Sequence, residues 1–236
     1  HFRTPQPATV AQLTGFHDSH YVEALQYADS TGRVDPKVRE RYGIGTLENP
    51  LFDGLFERAA TTVAGSVLAA QLALEGHVTF HPSGGTHHGR RDRASGFCYF
   101  NDPVFAIRTL LENDCERVLY VDLDAHHGDG VMYGFEDDPE VFIADVHEDG
   151  RFLYPGTGGR FQPDNVPPIL ATTLPHLTDR PDALPGSAVL AAIDIVLPAV
   201  EIIDSRYKDF RFDLKSVVAD NTSAAGYVVG GRSAKP

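Results

Sequence analysis

The sequence is poor in cysteine, with Cys98 and Cys115 as its two examples in 236 residues. Two cysteines are too few for a disulfide framework, which excludes a small disulfide-rich secreted scaffold. No charged-then-apolar leader marks the N-terminus. From these features we expect a protein of the reducing cytoplasm.

Long apolar runs are also scarce. The most apolar stretch, "AVLAAIDIVLPAVEII", is broken by Asp194 and Pro198. A helix that crosses a bilayer needs about 20 predominantly apolar residues, so we predict no membrane-spanning segment.

Positive charge is the third deficit. Lys and Arg number 20 against 33 Asp and Glu, which gives a formal net charge of -13. This balance opposes binding to nucleic acid or anionic lipid and favours cationic partners. The 42% of hydrophobic residues is enough for the core of a globular protein.

Helix and strand patterns alternate through residues 49–147. The Ala-rich segment 49–75 predicts a long helix that ends at Gly76, and Asn101-Asp102-Pro103 predicts the cap of a second helix. The segments 117–123 and 141–147 predict strands, and 77–85 predicts a short strand that runs into a turn. A short helix is expected over 130–138. This alternation is typical of an α/β fold, with an open parallel sheet and helices on both faces.

The character of the chain changes after Gly158, where proline and threonine become frequent and periodicity weakens. We therefore predict an α/β domain over residues 1–160, an irregular junction over 161–186 and a second unit over 187–236. This second unit is expected to have mixed β character. We expect it to begin with a helix, to continue with a strand around 199–206, and to end in further strand or loop material up to 232.

Titratable residues crowd the end of the predicted strand 117–123, in the segment "DLDAHHGDG". In parallel sheets, ligands bind beyond the carboxyl ends of the strands. Asp124 and His126 are two residues apart, so on an extended segment both side chains point the same way and can reach one metal ion.

Asp122 and Asp129 flank that pair and can accept hydrogen bonds from histidines, which fixes the tautomer of an imidazole. The adjacent His87 and His88, in "GGTHHG", supply such imidazoles. Two imidazoles beside a metal-bound water form a general acid and base near neutral pH. Any one of these residues alone is more often a helix cap or turn residue, but their clustering favours a site.

Residues 1–160 resemble the histone deacetylase superfamily, especially its bacterial acetoin-utilisation-like and acetylpolyamine amidohydrolase-like members. The motifs that carry the resemblance are "GGTHHGRRDRASGFCYFND", "RVLYVDLDAHHGDGV" and "HEDGRFLYPGTG", in that order. The resemblance implies an arginase-like α/β fold, truncated here, and zinc-dependent hydrolysis of an acetylated amine such as acetyl-lysine.

Roles in the site follow from the same resemblance. It implies that Asp124 and His126 bind Zn²⁺, that His87 and His88 are the catalytic pair, and that Asp122 and Asp129 are their partners. It also implies a narrow substrate channel and a monovalent cation, K⁺, beneath the zinc. The channel would be lined by Gly96, Phe97 and Tyr154, and the cation would be held by the backbone of 122–126 and of Asp145 and Val146. Phe97 could instead be an ordinary core aromatic residue.

Two features of the superfamily, a third zinc ligand and a tyrosine that donates to the oxyanion, have no matching motif here. Asp164, Asp179, Asp182 and Glu201 are available carboxylates, and Tyr207 and Tyr227 are available tyrosines, but their surroundings differ. Because losing an oxyanion donor costs about two to three orders of magnitude in rate, weak or absent activity is expected.

Residues 183–236 resemble the 2-keto-4-pentenoate hydratase group of the fumarylacetoacetate hydrolase superfamily. In that group Glu201, within "PAVEIIDSR", would be a ligand of Mg²⁺ or Mn²⁺. On its own, Glu201 beside Arg206 is more often a salt-bridging residue.

Three functions thus stay open. They are a zinc-dependent deacetylase-like hydrolase, a hydratase or decarboxylase that acts on a 2-keto acid, and a non-catalytic binder of an acylated chain. The apolar surface left by a truncated sheet also predicts a homo-oligomer or aggregation unless the tail covers it.

Overall fold

The computed structural model of the chain describes residues 2–145, 147, 150–158, 199–203 and 224–229. Two compact units, residues 1–172 and 173–236, divide the chain. The helices of the first unit are α1 (Val10–Leu13), α2 (Ser19–Thr31), α3 (Pro36–Tyr42), α4 (Leu55–Leu74), α5 (Asp102–Leu111) and α6 (Asp129–Gly134). Its strands are β1 (Val118–Asp122) and β2 (Val141–Asp145).

Helix α4 is shorter at its N-terminus than the predicted 49–75. It begins at Leu55 because Gly54 adopts a left-handed conformation, with φ of 76°, and interrupts the helix. The N–H of Leu55 donates to Asp29 Oδ1 at 2.9 Å. Asn49 lies instead in a turn, where its N–H donates to Thr46 Oγ1 at 3.0 Å.

Helix α5 confirms the cap predicted at Asn101, whose side chain accepts a hydrogen bond from the N–H of Val104 at 3.2 Å. The helix starts at Asp102, one residue before Pro103. The helix predicted over 130–138 is α6, which is confirmed with an earlier start and end. The starts of α5 and α6 differ by one residue from the predicted positions, which is within the usual range for helix ends. The end of α6 lies four residues before residue 138.

Strands β1 and β2 confirm the parallel sheet and the α/β class of fold. They pair in parallel, from Val118 opposite Val141 to Asp122 opposite Asp145. This register brings Asp122 and Asp145 to the same carboxyl edge of the sheet. Side chains that follow the two strands therefore meet at one edge.

The short strand predicted at the start of 77–85 is wrong, because these residues have irregular backbone, whereas the turn predicted after it is present at residues 82 and 83. A strand needs a neighbour to satisfy its backbone groups. In the described part of the chain, the only strand pairs are β1 with β2 and β3 with β4. Val78 and Phe80 project into solvent, with relative exposures of 105% and 88%.

The core lies where α2, α4, α5 and α6 meet beneath the sheet. Its almost completely buried members include Tyr21, Leu25, Val63, Phe100, Val104 and Met132. Close packing of these side chains fixes the start of α5 and the loop before it, which carries the two histidines.

The second unit contains β3 (Ala199–Ile203) and β4 (Ala224–Val229), which pair antiparallel. The strand predicted around 199–206 is confirmed by β3, and β4 lies in the segment for which strand and loop both stayed open. The helix predicted at the start of this unit lies outside the described residues. The backbone of Glu201 lies opposite that of Tyr227. The predicted junction 161–186 lies outside the described residues, as do Asp164, Asp179, Asp182 and Tyr207. In the part of the chain that the structure covers, no helix combines the length and the apolar character needed to cross a bilayer.

Candidate active site

The two adjacent histidines of the loop before α5 are buried side by side. His87 and His88 are 6% and 5% exposed, and their ring centroids are 4.1 Å apart. In each ring, Nδ1 contacts the carboxylate of a different aspartate. The sequence predicted two adjacent imidazoles with aspartate partners, and the structure brings these side chains together.

His87 Nδ1 lies 2.6 Å from Asp122 Oδ2, at the carboxyl end of β1. A carboxylate only accepts, so Nδ1 carries the proton and Nε2 of the neutral ring is left with a lone pair. Burial disfavours the charged ring, but the hydrogen bond and charge of Asp122 outweigh that cost and raise the pKa of His87. Tyr120 also donates to Asp122 Oδ2, at 2.7 Å.

His88 Nδ1 lies 2.7 Å from Asp129 Oδ1. Asp129 is the first residue of α6 and is fully buried. Its second oxygen, Oδ2, is 2.8 Å from Arg90 Nη2, and the Arg90 guanidinium stacks 4.1 Å from the centroid of Tyr133. Arg90 therefore neutralises the second aspartate, a role that no sequence motif indicated.

Glycine is needed where α6 approaches the histidine loop. A Cβ at Gly130 would lie 2.5 Å from the carbonyl oxygen of His87 and 2.6 Å from that of Gly89. Any larger residue would separate Asp129 from His88.

Asp124 and His126 lie next to the His87–Asp122 pair, the first of two histidine–aspartate dyads. His126 donates to Asp124 Oδ1 through its backbone N–H at 2.7 Å and contacts the same oxygen through Nδ1 at 2.8 Å. Asp124 Oδ1 is 4.0 Å from His87 Nε2. The segment is a bend and not the extended strand assumed from the spacing, but the two side chains still converge.

This pair fits a zinc ion as part of a ligand set. A carboxylate and an imidazole are both zinc ligands, and the side chains are 51% and 40% exposed, which leaves them accessible. A catalytic zinc site has three protein ligands. Within the described ranges, no group of three His, Cys, Asp or Glu side chains is arranged to hold a metal ion.

Two of the three predicted channel residues, Gly96 and Tyr154, lie against the ring of His88. The ring of Tyr154 packs edge-on against His88, with centroids 5.0 Å apart. A Cβ on Gly96, which has φ of 53°, would lie 2.4 Å from the His88 ring and 2.8 Å from the Tyr154 ring. Phe97 is 37% exposed and is therefore not a core residue.

Tyr154 and Gly96 also contact polar groups that the sequence analysis did not single out. Tyr154 Oη lies 2.5 Å from Ser95 Oγ, and Glu48 Oε1 accepts from the N–H of Gly96 at 2.5 Å. A cavity of about 540 Å³ adjoins them and reaches Asp129 and Arg90.

A second buried cluster lies at the end of β2. Asp145 accepts from the N–H of Gly128 at 2.7 Å and contacts His147 Nδ1 at 2.6 Å. Burial raises the pKa of Asp145 more than these hydrogen bonds lower it. The K⁺ site predicted at 122–126 and Asp145–Val146 stays a prediction, since Val146 lies outside the described residues.

The fold and the dyads define an α/β protein whose candidate site lies at the carboxyl edge of a parallel sheet. A family model described as the histone deacetylase domain matches residues 1–168. The chain belongs to the histone deacetylase family.

Individual relatives agree with this assignment. The chain is 42% identical to the acetoin utilization protein AcuC of Bacillus subtilis over 157 residues, which cover 66% of this chain and 40% of that protein. It is 35% identical to histone deacetylase 8 of Xenopus laevis over 174 residues, 69% of this chain and 53% of the relative. The chain thus spans about half or less of these relatives.

Solved structures give the same result. A histone deacetylase homologue from Aquifex aeolicus superposes with a TM-score of 0.62 at 38% identity, over 64% of this chain and 41% of that one. The same values hold for a structure of such a homologue complexed with SAHA. The matched family residues end at 168, so the hydratase resemblance of 183–236 stays a prediction.

Proposed function

We propose that the chain is a zinc-dependent deacetylase-like hydrolase that acts on an acylated amine, such as acetyl-lysine. The observation that carries the proposal is the convergence of both histidine–aspartate dyads on the Asp124–His126 pair, with His87 Nε2 4.0 Å from Asp124 Oδ1. Family membership and the matched structure with SAHA support the same class of substrate.

Asp124 and His126 are the residues that would hold the zinc, as two of the three protein ligands of such a site. When bound, the zinc would polarise the amide carbonyl and lower the pKa of a water molecule. The histidines have the complementary task of moving the proton.

Asp122 holds the proton of His87 on Nδ1, which leaves Nε2 free to accept the proton of the attacking water. Asp129 orients His88 in the same way, so that its Nε2 can accept a hydrogen bond from the water and align it. His87 would then return the accepted proton to the leaving amine. Gly96, Phe97 and Tyr154 would bind the acyl chain against His88 and exclude bulk water.

The decisive variant is His126→Ala. Because this change removes one ligand from a small set, bound zinc and hydrolysis of a fluorogenic acetyl-lysine substrate should fall together, the hydrolysis by at least about 100-fold. Zinc is measured by elemental analysis of purified protein, and hydrolysis by fluorescence. His20→Ala, at an exposed position on α2, is the matched control and should change neither quantity.

Three outcomes separate the remaining functions. Equal hydrolysis by the wild type and His126→Ala would exclude the proposed site. SAHA binding without product would identify a non-catalytic binder. Turnover of a 2-hydroxydienoate that disappears in Glu201→Ala would identify the hydratase-like activity. No observation among the described residues supports that activity.

A further inference from the structure

The loop that carries the two histidines has no regular secondary structure. It must nevertheless hold each ring within hydrogen-bond distance of a separate aspartate. Its backbone therefore needs support from side chains outside the loop. Two adjacent buried residues at the start of α5, Asn101 and Asp102, supply that support from opposite directions.

Asn101 contacts the carbonyl groups of the loop. Its Nδ2 donates to the carbonyl oxygens of His87 at 3.2 Å and of Gly89 at 2.9 Å. Its Oδ1 caps α5, so the amide joins the loop directly to the helix.

Asp102 contacts the N–H groups of the loop. Its Oδ1 accepts from the N–H of Thr86 at 2.7 Å and from Thr86 Oγ1 at 2.5 Å, and its Oδ2 accepts from the N–H of Gly85 at 3.2 Å. Ser66 Oγ of α4 also donates to Oδ2. With 1% exposure, the carboxylate is enclosed by these donors.

The network extends to the beginning of the loop through His81. Ser66 Oγ lies 2.9 Å from His81 Nδ1, so one hydroxyl joins His81 to Asp102. A Cβ at Gly84 would lie 2.8 Å from both Asp102 Oδ2 and His81 Nδ1, which shows how closely the loop wraps these side chains. The loop is therefore fixed at both ends of residues 81–86.

We propose that Asp102 is a positioning residue for His87 and His88, and that Ser66 and His81 hold its carboxylate in place. This inference rests on the proposed function for the role of the two histidines. Asp102 touches neither ring, and acts through Thr86, which directly precedes His87 in the chain. A shift of Thr86 would move His87 relative to Asp122 and Asp124.

The test uses the Nδ1–H protons of the two dyads in the full chain with ¹⁵N-labelled histidine. Their NMR signals are assigned through their loss in His87→Gln and His88→Gln. Asp102→Asn cannot accept from all four donors, so we expect the His87 signal to shift or broaden. The kcat should fall about 10- to 100-fold with KM within about threefold, because outer partners of this kind contribute that much.

Thr86→Val removes the hydroxyl at nearly constant shape and should show a smaller change of the same kind. Thr86→Ser, which restores the hydroxyl, should return both the signal and kcat to wild-type values. Asp35→Asn is the matched control, since Asp35 also precedes a proline at a helix N-terminus but lies at the surface. It should leave the signals and kcat unchanged.

The two readouts separate the two proposals. If the wild type hydrolyses no acylated amine, the proposed function fails, while the NMR signals still decide the positioning role. If Asp102→Asn and Thr86→Val both fold and leave the His87 signal and kcat as in the wild type, the positioning role of Asp102 is overturned. A change in Thr86→Ser as large as that in Thr86→Val would overturn it as well, since the hydroxyl would then not matter.

Discussion

At the scale of single residues, His17 joins the N-terminal helices to the histidine loop. Its Nδ1 lies 2.9 Å from the carbonyl oxygen of Arg90, and its Nε2 accepts from the N–H of Asn101 at 3.1 Å. The neutral ring with its proton on Nδ1 satisfies both contacts. Burial lowers the pKa of His17 from 6.5 to about 4.

The stability of the protein should therefore depend on pH through His17. The unfolded chain takes up a proton on His17 near pH 6.5, but the folded chain does so only near pH 4. The contribution of the buried neutral ring to the free energy of unfolding is therefore fully present above pH 6.5 and is lost as the pH falls towards 4. In His17→Phe, the drop in unfolding free energy between pH 7 and pH 5 should be about 2 kcal/mol smaller than in the wild type. Urea unfolding at both pH values measures it.

The exposed His20 gives the control for that experiment, because His20→Gln should leave the pH dependence as it is. His17→Phe should also lower stability at pH 7 by about 1–3 kcal/mol, since the N–H of Asn101 loses its acceptor. An unchanged difference between pH 7 and pH 5 in His17→Phe would contradict the role given to this ring.

Some of the site residues could be predicted from the sequence because they are neighbours in the chain, and others could not. The pairs Asp124–His126 and His87–His88 stand together in the sequence, so their chemistry could be predicted from spacing. Arg90 and Asp102 could not, because the contact of Arg90 with Asp129 and that of Asp102 with Thr86 join segments far apart in the chain. Asp102 was visible only as part of a helix cap, which is its local role.

At the scale of elements, α4 contains a glycine that helix propensity alone would not explain. Gly65 lies in the helix interior, where glycine costs about 1 kcal/mol relative to alanine. A Cβ there would lie 2.4 Å from His81 Nε2. The glycine lets the His81 ring lie on the helix beside Ser66.

A double-mutant cycle tests this packing. Gly65→Ala alone should destabilise the protein by about 1–3 kcal/mol, because the methyl group overlaps the His81 ring. In the His81→Ala background the same substitution should instead stabilise by up to about 1 kcal/mol through helix propensity. Urea unfolding of the four proteins gives the coupling, and a stabilising Gly65→Ala in the wild-type background would refute the overlap.

Elements were predictable where their signals were local. The cap at Asn101 and the β-branched runs of β1 and β2 gave the correct elements. The predicted start at residue 49 failed because composition extends past Gly54, whose left-handed backbone ends the helix. The short strand predicted at the start of 77–85 failed because pairing depends on a neighbour that the local pattern cannot report.

At the scale of the whole molecule, one side of the β1–β2 sheet is exposed and apolar in the part of the chain that the structure describes. Leu119 and Val121 of β1 are 48% and 53% exposed, and Val78 and Phe80 are more exposed still. Parallel sheets are normally covered on both faces. Among the described residues, β1 pairs with β2 alone, so the sheet also has unpaired edges. An apolar face with such an edge favours association with a second copy of the chain.

We therefore expect the purified protein to self-associate as its concentration rises, and the double variant Leu119→Lys, Val121→Lys to do so less. Light scattering across a concentration series measures the weight-average mass. The control Leu47→Lys, Leu74→Lys places the same charges at exposed positions away from the sheet and should behave as the wild type. Both variants change the net charge from -13 to -11, which by itself would weaken repulsion between copies. A reduced mass in the β1 variant alone therefore assigns the association to this face, and equal masses for all three proteins would exclude it.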